Sequence, residues 1–316
     1  MKAVRCNYCG RDNSEVVNRG PDLYLNRPGD YRLVRCRNCG LIYQNPRLTR
    51  EELLEHYPTT HYERYLPAAE EEETILRRVD RWRGIARRRK RITQLARRIG
   101  HLLDVGCATG SFLDMMRTHG WQVSGVELNP DAARYARQRL QLDVRTGTLE
   151  QAQFSSQAFD VVTMWDVFEH VLDPRQTLSE VRRILRPGGL LALSLPNPSS
   201  LEARLFGDSW AGWDRPRHLH LFTPAMLSHY LVDAGFQRPH IESDGGRLKV
   251  TLLSVAYACN ARGIAREAWA PWLDALYNWP LRLLTWPIYR LAELFNQTTT
   301  MSAYAILADD GSGGEE

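Results

Sequence analysis

The sequence lacks any long apolar run. No stretch of 18 uncharged apolar residues occurs in the 316-residue chain, and its first six residues do not form the apolar core of a secretory signal. These absences disfavour a membrane-spanning helix and secretion, so we expect a cytoplasmic protein. There the six cysteines are expected to bind metal or to stay reduced rather than to form disulfides.

The chain also lacks the dinucleotide-binding fingerprint G-x-G-x-x-G. Residues 101–113 have the pattern of a buried strand, a glycine turn and a helix start, where a nucleoside cofactor would bind. Of the three fingerprint positions only Gly106 is glycine, because Ala108 and Ser111 occupy the other two. The turn therefore disfavours NAD and favours a different nucleoside cofactor.

Two C-x-x-C-G motifs lie near the start of the chain, with 26 residues between their inner cysteines. The two-residue gap lets both thiolates of a motif face one ion, and the following glycine permits the positive φ of the turn. Four thiolates make a closed tetrahedral site, so we predict a structural zinc ion in a zinc ribbon at residues 1–46. Its ligands are Cys6, Cys9, Cys36 and Cys39.

From residue 101 onward strands alternate with helices, which predicts an α/β fold with a parallel sheet. A chain of 43% apolar residues can bury such a core and still carry a smaller module. The expected strands are 101–106, 122–127, 142–146, 159–165, 189–196 and 301–307, and the expected helices are 110–119, 130–140, 174–186 and one from Thr223-Pro224 to Gly235. We assign the domain to residues 99–308, with a helical insert at about 246–298 and a disordered tail at 309–316.

The cofactor site is expected at the carboxyl ends of these strands, because ligands of open parallel sheets bind there. Glu127 ends the second strand 21 residues after Gly106. A carboxylate at this place can accept hydrogen bonds from both hydroxyls of a ribose.

The run D-x-G-x-x-x-G from Asp104 to Gly110 resembles motif I of the class I S-adenosylmethionine (SAM) dependent methyltransferases. The run Glu-His-Val-x-Asp-Pro at 169–174 is similar to that of the ubiquinone-biosynthesis O-methyltransferases and the small-molecule methyltransferases around them. The resemblance implies a Rossmann-like, seven-stranded, mainly parallel sheet and SAM as the cofactor. The cofactor-binding residues that it implies are Asp104, Gly106, Cys107, Ala108, Gly110, Glu127, Leu128, Thr148, Leu149 and Trp165.

Three of these positions have specific implied roles. Asp104 would reach the SAM ammonium, or alternatively would only brace the glycine loop. Trp165 would pack on the cofactor. Thr148 departs from the acidic residue that the family usually places at the adenine amino group.

The candidate reaction residues follow the fourth and fifth strands. His170, beside Glu169, lies where a general base with a pKa near neutrality could meet the substrate, the alternative being a structural histidine. Residues 215–224 resemble the segment that closes the family's substrate pocket. Within it His218 and His220 would share a face of an extended chain, where they either bind substrate or hydrogen-bond the loop.

Residues 47–98 are expected to form a helical connector with a basic helix. Residues 77–98 carry eleven Arg or Lys and one Asp, a net charge of +10. This surface is either a solvated face, partly neutralised by the acidic residues 70–73, or a docking surface for phosphate. Tyr57, Tyr62 and Tyr65 either form a lid over a pocket or are half-packed loop aromatics.

The insert is rich in tryptophan. Charged residues interrupt its apolar run, so it cannot span a bilayer, but residues 264–295 could make peripheral contact with a membrane. The alternative is a helical pair that packs on the sheet or on a second subunit. The tryptophans are Trp269, Trp272, Trp279 and Trp286.

Together these patterns favour a SAM-dependent methyltransferase that acts on a small molecule. The expected acceptor is a hydroxyl or a sugar carbon of a glycan, quinone or lipid-linked intermediate. No Asn-Pro-Pro-Tyr motif follows the fourth strand, which disfavours the amino nitrogens of adenine and glutamine as acceptors. Two alternatives stay open: an RNA methyltransferase that uses the ribbon and the basic helix, and a non-catalytic SAM-binding assembly module.

Overall fold

The computed structural model describes residues 1–57, 75–243, 248–276 and 279–308. Within them the backbone forms two sheets and ten helices. The strands are β1 (Ser14–Asp22), β2 (Arg27–Cys36), β3 (Ile42–Gln44), β4 (His101–Val105), β5 (Gln122–Glu127), β6 (Asp143–Thr146), β7 (Phe159–Trp165), β8 (Leu185–Pro196), β9 (His220–Leu221), β10 (Phe236–Ser243) and β11 (Thr300–Leu307). The helices are α1 (Arg50–Leu54), α2 (Ile75–Leu95), α3 (Ser111–Thr118), α4 (Pro130–Leu140), α5 (Pro174–Ile184), α6 (Leu201–Phe206), α7 (Pro224–Asp233), α8 (Leu248–Ala261), α9 (Arg266–Leu276) and α10 (Trp279–Leu294).

The larger sheet has seven strands in the order β10-β11-β8-β7-β4-β5-β6. Strand β11 is antiparallel to both of its neighbours, and the other described pairings are parallel. This arrangement confirms the expected α/β fold with a seven-stranded, mainly parallel sheet. Its strand order reverses direction between β4 and β7, which places a ligand crevice at the carboxyl ends of β4, β5 and β7.

The expected strands agree with the structure, with two differences. Strand β8 begins at Leu185, earlier than expected, because Leu185 pairs with Phe159 across an irregularity in the β7–β8 ladder. Strand β10 was not predicted. It is an edge strand with one described neighbour, and its polar side chains and internal Pro239 weaken the apolar alternation that marks a strand.

The smaller sheet joins the predicted ribbon to the segment that follows β8. Its order is β1-β2-β3-β9, so three strands come from the predicted ribbon and the fourth comes from the segment after β8. In the β3–β9 pair Tyr43 lies opposite His220 and Ile42 opposite Leu221. The predicted ribbon therefore shares a sheet with the segment that carries two of the candidate site histidines.

Side-chain packing ties the ribbon to the larger sheet as well. Cys6 and Tyr43 belong to the same buried apolar cluster as Phe168, which follows β7. The Tyr8 hydroxyl donates to Asp233 Oδ2 at 2.6 Å at the end of α7. The ribbon thus packs against the loop after β7 and against α7.

The predicted connector is described as two helices. Thr49 caps α1 with the expected side-chain hydrogen bond, and Ile92 of α2 is fully buried in a cluster with strand β4 and helix α3. Residues 58–74, which include Tyr62, Tyr65 and the acidic residues 70–73, lie outside the described residues, as does the predicted disordered tail at 309–316.

The insert forms three described helices, α8, α9 and α10, rather than the expected pair. Helix α8 packs on residues 207–213, where the Ser254 hydroxyl accepts a hydrogen bond from the N–H of Ala211 at 3.0 Å. Among the described residues, no helix is both long enough and apolar enough to cross a bilayer.

Candidate active site

The loop after β4 turns at a glycine that no other residue could replace. Gly106 has φ of 75°, and a Cβ on it would lie 2.4 Å from Val167 Cγ2. The N–H groups of Gly106 and Cys107 donate to the carbonyl of Val126 at 2.7 and 3.1 Å, which joins the turn to β5. Gly110, with φ of 83°, then begins α3. Both glycines therefore serve the tight turn and the close packing of Val167 against it.

Glu127 holds this turn in place from the end of β5. One carboxylate oxygen accepts from the N–H of Ala108 and the other from the N–H of Asn129, each at 2.8 Å. Burial raises the pKa of Glu127 above its ordinary value. Because each carboxylate oxygen has two lone pairs, both oxygens keep an acceptor site for a ribose hydroxyl.

Asp104 lies within β4 and is buried. The Thr163 hydroxyl donates to Asp104 Oδ1 at 2.6 Å. Burial raises the pKa of Asp104 to about 7, although the Thr163 hydrogen bond and the charge of Arg88 act in the opposite direction. The carboxyl therefore changes its protonation state near neutral pH, and in this structure Glu127, rather than Asp104, braces the glycine loop.

Arg88 of α2 reaches the same crevice, which sequence reasoning did not foresee. Its guanidinium carbon lies 4.5 Å from the centre of the Trp165 ring, and Nη2 is 3.4 Å from both Asp166 Oδ2 and Ser194 Oγ. The buried Trp165 Nε1 has no hydrogen-bond partner among the described residues. This orphaned donor and the Glu127 acceptors form a set that fits a bound nucleoside.

At the position expected for adenine, Leu128 follows Glu127 with 43% of its surface exposed, while Leu149 is buried. The Thr148 hydroxyl accepts from the N–H of Gln151 at 3.3 Å, and the Thr148 N–H donates to the Gln151 side chain at 3.0 Å. The Thr148 side chain therefore takes part in a local turn. The position expected for adenine offers the apolar surface of Leu128 and the Thr148 hydroxyl, where the resemblance implies a carboxylate.

Beyond β7 the structure brings Glu169, His170 and His218 together. One potential ligand atom from each residue lies within 4.8 Å of the others, a spacing at which they could hold one divalent cation. The ring centres of His170 and His218 are 4.7 Å apart. Burial, followed by the nearby His218, lowers the pKa of His170 to about 3. This corrects the expected pKa near neutrality: both causes disfavour the imidazolium form.

The hydrogen bonds of His170 define its orientation. Nδ1 lies 3.0 Å from the carbonyl oxygen of Arg217 and 2.9 Å from the Tyr57 hydroxyl. A carbonyl can only accept, so we assign the proton to Nδ1, and Nε2 then carries the lone pair. The Tyr57 hydroxyl therefore contacts a candidate reaction residue.

His218 and His220 do not share a site, contrary to the expectation for an extended segment. His218 Nδ1 lies 2.8 Å from the carbonyl of Gly212, and its ring faces His170. His220 lies on β9, opposite Tyr43, and is not a member of the described cluster of Glu169, His170 and His218. The reason is that the chain is extended only at residues 220–221, and a turn precedes them.

Behind His218 lies a buried ion network between the ribbon and the segment after β8. The Arg217 guanidinium is paired with Asp22 at 2.8 and 3.0 Å and with Asp214 at 2.6 Å. Asp22 also contacts His56 Nδ1 at 2.9 Å. Burial acts to raise the pKa of Asp214, but Arg217 holds it well below its ordinary value. This network fixes the backbone that carries His218 and the carbonyl that contacts His170.

The four ribbon cysteines meet at one point. All four sulfurs lie within 4.8 Å of one another, with Cys6 and Cys39 3.5 Å apart and Cys9 and Cys36 3.4 Å apart. Tetrahedral zinc with bonds of about 2.3 Å requires sulfur separations of about 3.8 Å. The donor set therefore fits a structural zinc ion.

Several side chains of the basic helix are committed to contacts within the chain. Arg91 pairs with Glu242 at 2.6 Å, and Arg98 pairs with Asp160 at 2.9 Å. Others line a groove of about 580 Å³ between α2, α3 and α4. Its aromatic and basic lining residues are Arg78, Arg81, Trp82, Arg89, His119 and Tyr135.

Comparisons with known proteins agree with this geometry. A family model described as "Methyltransferase domain" matches residues 75–240, just over half of the chain. Ubiquinone biosynthesis O-methyltransferase of Xanthomonas oryzae pv. oryzae is 32% identical over 148 residues, which cover 43% of this chain and 62% of that protein. The enzyme of the same name from Cereibacter sphaeroides is 34% identical over 145 residues, covering 42% of this chain and 59% of the relative. The chain thus spans less than two thirds of these relatives.

A solved structure extends the likeness over most of the chain. Phosphoethanolamine N-methyltransferase 2 of Haemonchus contortus, in complex with S-adenosyl-L-methionine, has a TM-score of 0.55 at 14% identity. The match covers 93% of this chain and 68% of that chain. It shows the fold.

Proposed function

The chain belongs to the methyltransferase domain family, and from this premise we propose that it transfers the methyl group of SAM to a small-molecule acceptor. The observation that carries the proposal is the set of side chains and the glycine turn that lie together at the carboxyl ends of β4, β5 and β7, where open α/β sheets bind ligands. The glycine turn, Asp104 and Glu127 form its cofactor end, and Glu169, His170 and His218 form its acceptor end.

At the cofactor end, the chain offers a partner for each polar part of SAM. Glu127 accepts the ribose hydroxyls with the lone pairs that its backbone contacts leave over. Asp104 in its ionised form pairs with the ammonium group, and Arg88, whose hydrogen bonds to Asp166 and Ser194 are long, pairs with the carboxylate. Trp165 packs against the cofactor, and Leu128 covers the adenine.

At the acceptor end, the chain positions the acceptor for attack on the methyl group. Bound SAM supplies a methyl group on a positively charged sulfur, so one carbon–sulfur bond breaks as the acceptor–carbon bond forms in line with it. Positioning provides much of the rate of such a displacement. His170 is neutral at pH 7 and accepts a hydrogen bond from the acceptor at Nε2, because Nδ1 is turned towards Arg217. With a pKa of about 3 it orients the acceptor, and the proton that the acceptor loses passes to solvent.

We assign the acceptor to the hydroxyl or sugar carbon of a glycan, quinone or lipid-linked intermediate. The two relatives are named O-methyltransferases, which supports a hydroxyl. The RNA alternative is weaker because Arg88, Arg91 and Arg98, which suggested a phosphate-binding face, contact carboxylates of the same chain. The four cysteines are assigned to one structural zinc ion that stabilises the ribbon.

The experiment is a screen with methyl-labelled SAM and a small-molecule fraction of cell extract. We expect label to appear in a low-mass product with the wild-type chain and to fall to background with Glu127→Ala. Label in RNA alone would replace the small-molecule acceptor with the RNA alternative. SAM binding without transfer to any acceptor would favour the non-catalytic assembly module.

A further inference from the structure

Helix α10 turns its apolar face away from the protein. At 100° per residue its outward positions form one stripe. The apolar residues of this stripe have 58–74% of their surface exposed; they are Leu283, Leu284, Ile288, Leu291 and Leu294. In water a surface helix normally buries such a stripe and exposes its polar face, so the outward face of α10 is inverted with respect to the usual pattern.

Polar contacts on the inward face fix this orientation. Arg282 Nη2 contacts Asp80 of α2 at 2.5 Å, and the Tyr289 hydroxyl lies 2.7 Å from the Thr251 hydroxyl of α8. Rotating the helix to bury its leucines would break both contacts. The exposed stripe therefore follows from the way α10 packs.

Exposed aromatic rings border the stripe. Trp286 is 61% exposed on α10, Phe295 follows its end, and Trp272 is exposed on the preceding helix α9. Tryptophan is the residue that most often occupies the boundary between lipid headgroups and acyl chains.

A row of basic side chains follows the side of α2 that contacts α10 at the Arg282–Asp80 ion pair. Arg83 and Arg87 lie three and seven positions after Asp80, hence on the same side of α2, and both are exposed. Lys90 continues this row by another turn. An apolar stripe with tryptophan beside a row of cations matches a surface of anionic headgroups over hydrocarbon.

We propose that the outward face of α10 and the basic edge of α2 (Arg83, Arg87 and Lys90) dock this protein on an anionic lipid bilayer. The helix lies in the plane of the interface with its leucines below the headgroups and the cations of α2 against the phosphates. A second copy of the chain is the alternative occupant of this surface, and the test below distinguishes it from a bilayer. The inference goes beyond methyl transfer and does not depend on it.

The test is co-sedimentation of the full chain with vesicles of equal parts phosphatidylglycerol and phosphatidylcholine, against vesicles of phosphatidylcholine alone. We expect binding to the anionic vesicles at least about tenfold tighter than to the neutral ones, and weaker binding in high salt. The double variant Leu284→Glu/Leu291→Glu changes only exposed positions and should lower the affinity by at least about tenfold.

Matched variants separate the two parts of the surface. Val232→Glu places a carboxylate at another exposed apolar residue, on α7, and should bind as the wild type does. Arg83→Gln/Lys90→Gln should weaken binding to anionic vesicles, whereas Arg35→Gln/Arg139→Gln, which removes equal charge from exposed sites elsewhere, should not. The proposal is overturned if the wild type does not sediment with anionic vesicles at low salt, or if the Leu284→Glu/Leu291→Glu variant binds equally well. A wild-type dimer that this variant dissociates, without vesicle binding, would assign the face to a second copy.

Discussion

At the cofactor end of the crevice, Gly106 and Glu127 come from one strand–helix–strand unit and are joined through main-chain N–H groups. At the acceptor end, His170 contacts Tyr57 and the carbonyl of Arg217, and the Arg217 guanidinium is paired with a carboxylate of the ribbon. The cofactor end is therefore built from one local segment of the chain, whereas the acceptor end depends on contacts with the ribbon. We therefore expect the acceptor end to fail when the ribbon contact is broken, while the cofactor end persists in any protein that stays folded.

The largest effect is expected from Arg217→Met, which breaks the ribbon contact. It leaves Asp22 buried without its bidentate partner and should lower the free energy of unfolding by about 3–5 kcal/mol. Chemical denaturation measures this loss, and the exposed pair of Arg32 and Asp30 supplies the control, Arg32→Met, which should leave the free energy of unfolding close to that of the wild type. Similar losses for the two variants would contradict the role of the network.

His170→Gln tests the acceptor end alone. Turnover should fall about a hundredfold through loss of the hydrogen bond that orients the acceptor, while the Kd for SAM stays the same. Steady-state kinetics and calorimetry give the two quantities. The control His240→Gln changes an exposed histidine on β10 and should alter neither. An equal drop in SAM affinity would place His170 at the cofactor end instead.

The pH dependence of SAM binding tests the cofactor end. Because burial raises the pKa of Asp104 to about 7, the carboxylate that pairs with the SAM ammonium is lost as pH falls through that value. Well below pH 7 the affinity should drop by about tenfold for each pH unit. Asp104→Asn should bind weakly with no such slope, and Asp131→Asn, at the exposed start of α4, should retain it. A flat wild-type profile would remove Asp104 from the site.

Arg88→Gln is expected to have the smallest effect. Arg88 is partly exposed and its contacts are long, so the SAM affinity should fall by only about fivefold. Titration calorimetry compares this variant with Lys90→Gln, which removes the same charge from the exposed side of α2. If both variants bind SAM with the same affinity, Arg88 does not contact the cofactor and belongs to the solvent-exposed face of α2.

The same contrast explains what the sequence could predict. The contact between Glu127 and the glycine turn could be predicted because both follow neighbouring parallel strands, whose carboxyl ends meet at one edge of the sheet. The cluster of four cysteines could be predicted because each C-x-x-C-G motif is a local turn that directs two sulfurs to one point. Arg88 was missed because no local signal separates it from ten other basic residues. Its position four residues before the buried Ile92 is the only mark that it faces the sheet. The pairing of Asp22 with Arg217 depends on packing between segments far apart in the chain, which periodicity does not encode.

The measurement that tests the account most directly is calorimetric titration of SAM into the wild-type chain and into Glu127→Ala. We expect a single site in the wild type and an affinity at least about thirtyfold weaker in the variant, because two ribose hydroxyls lose a charged acceptor. An absence of binding by the wild type, or equal affinities in the two proteins, would contradict a SAM site at the carboxyl ends of β4 and β5.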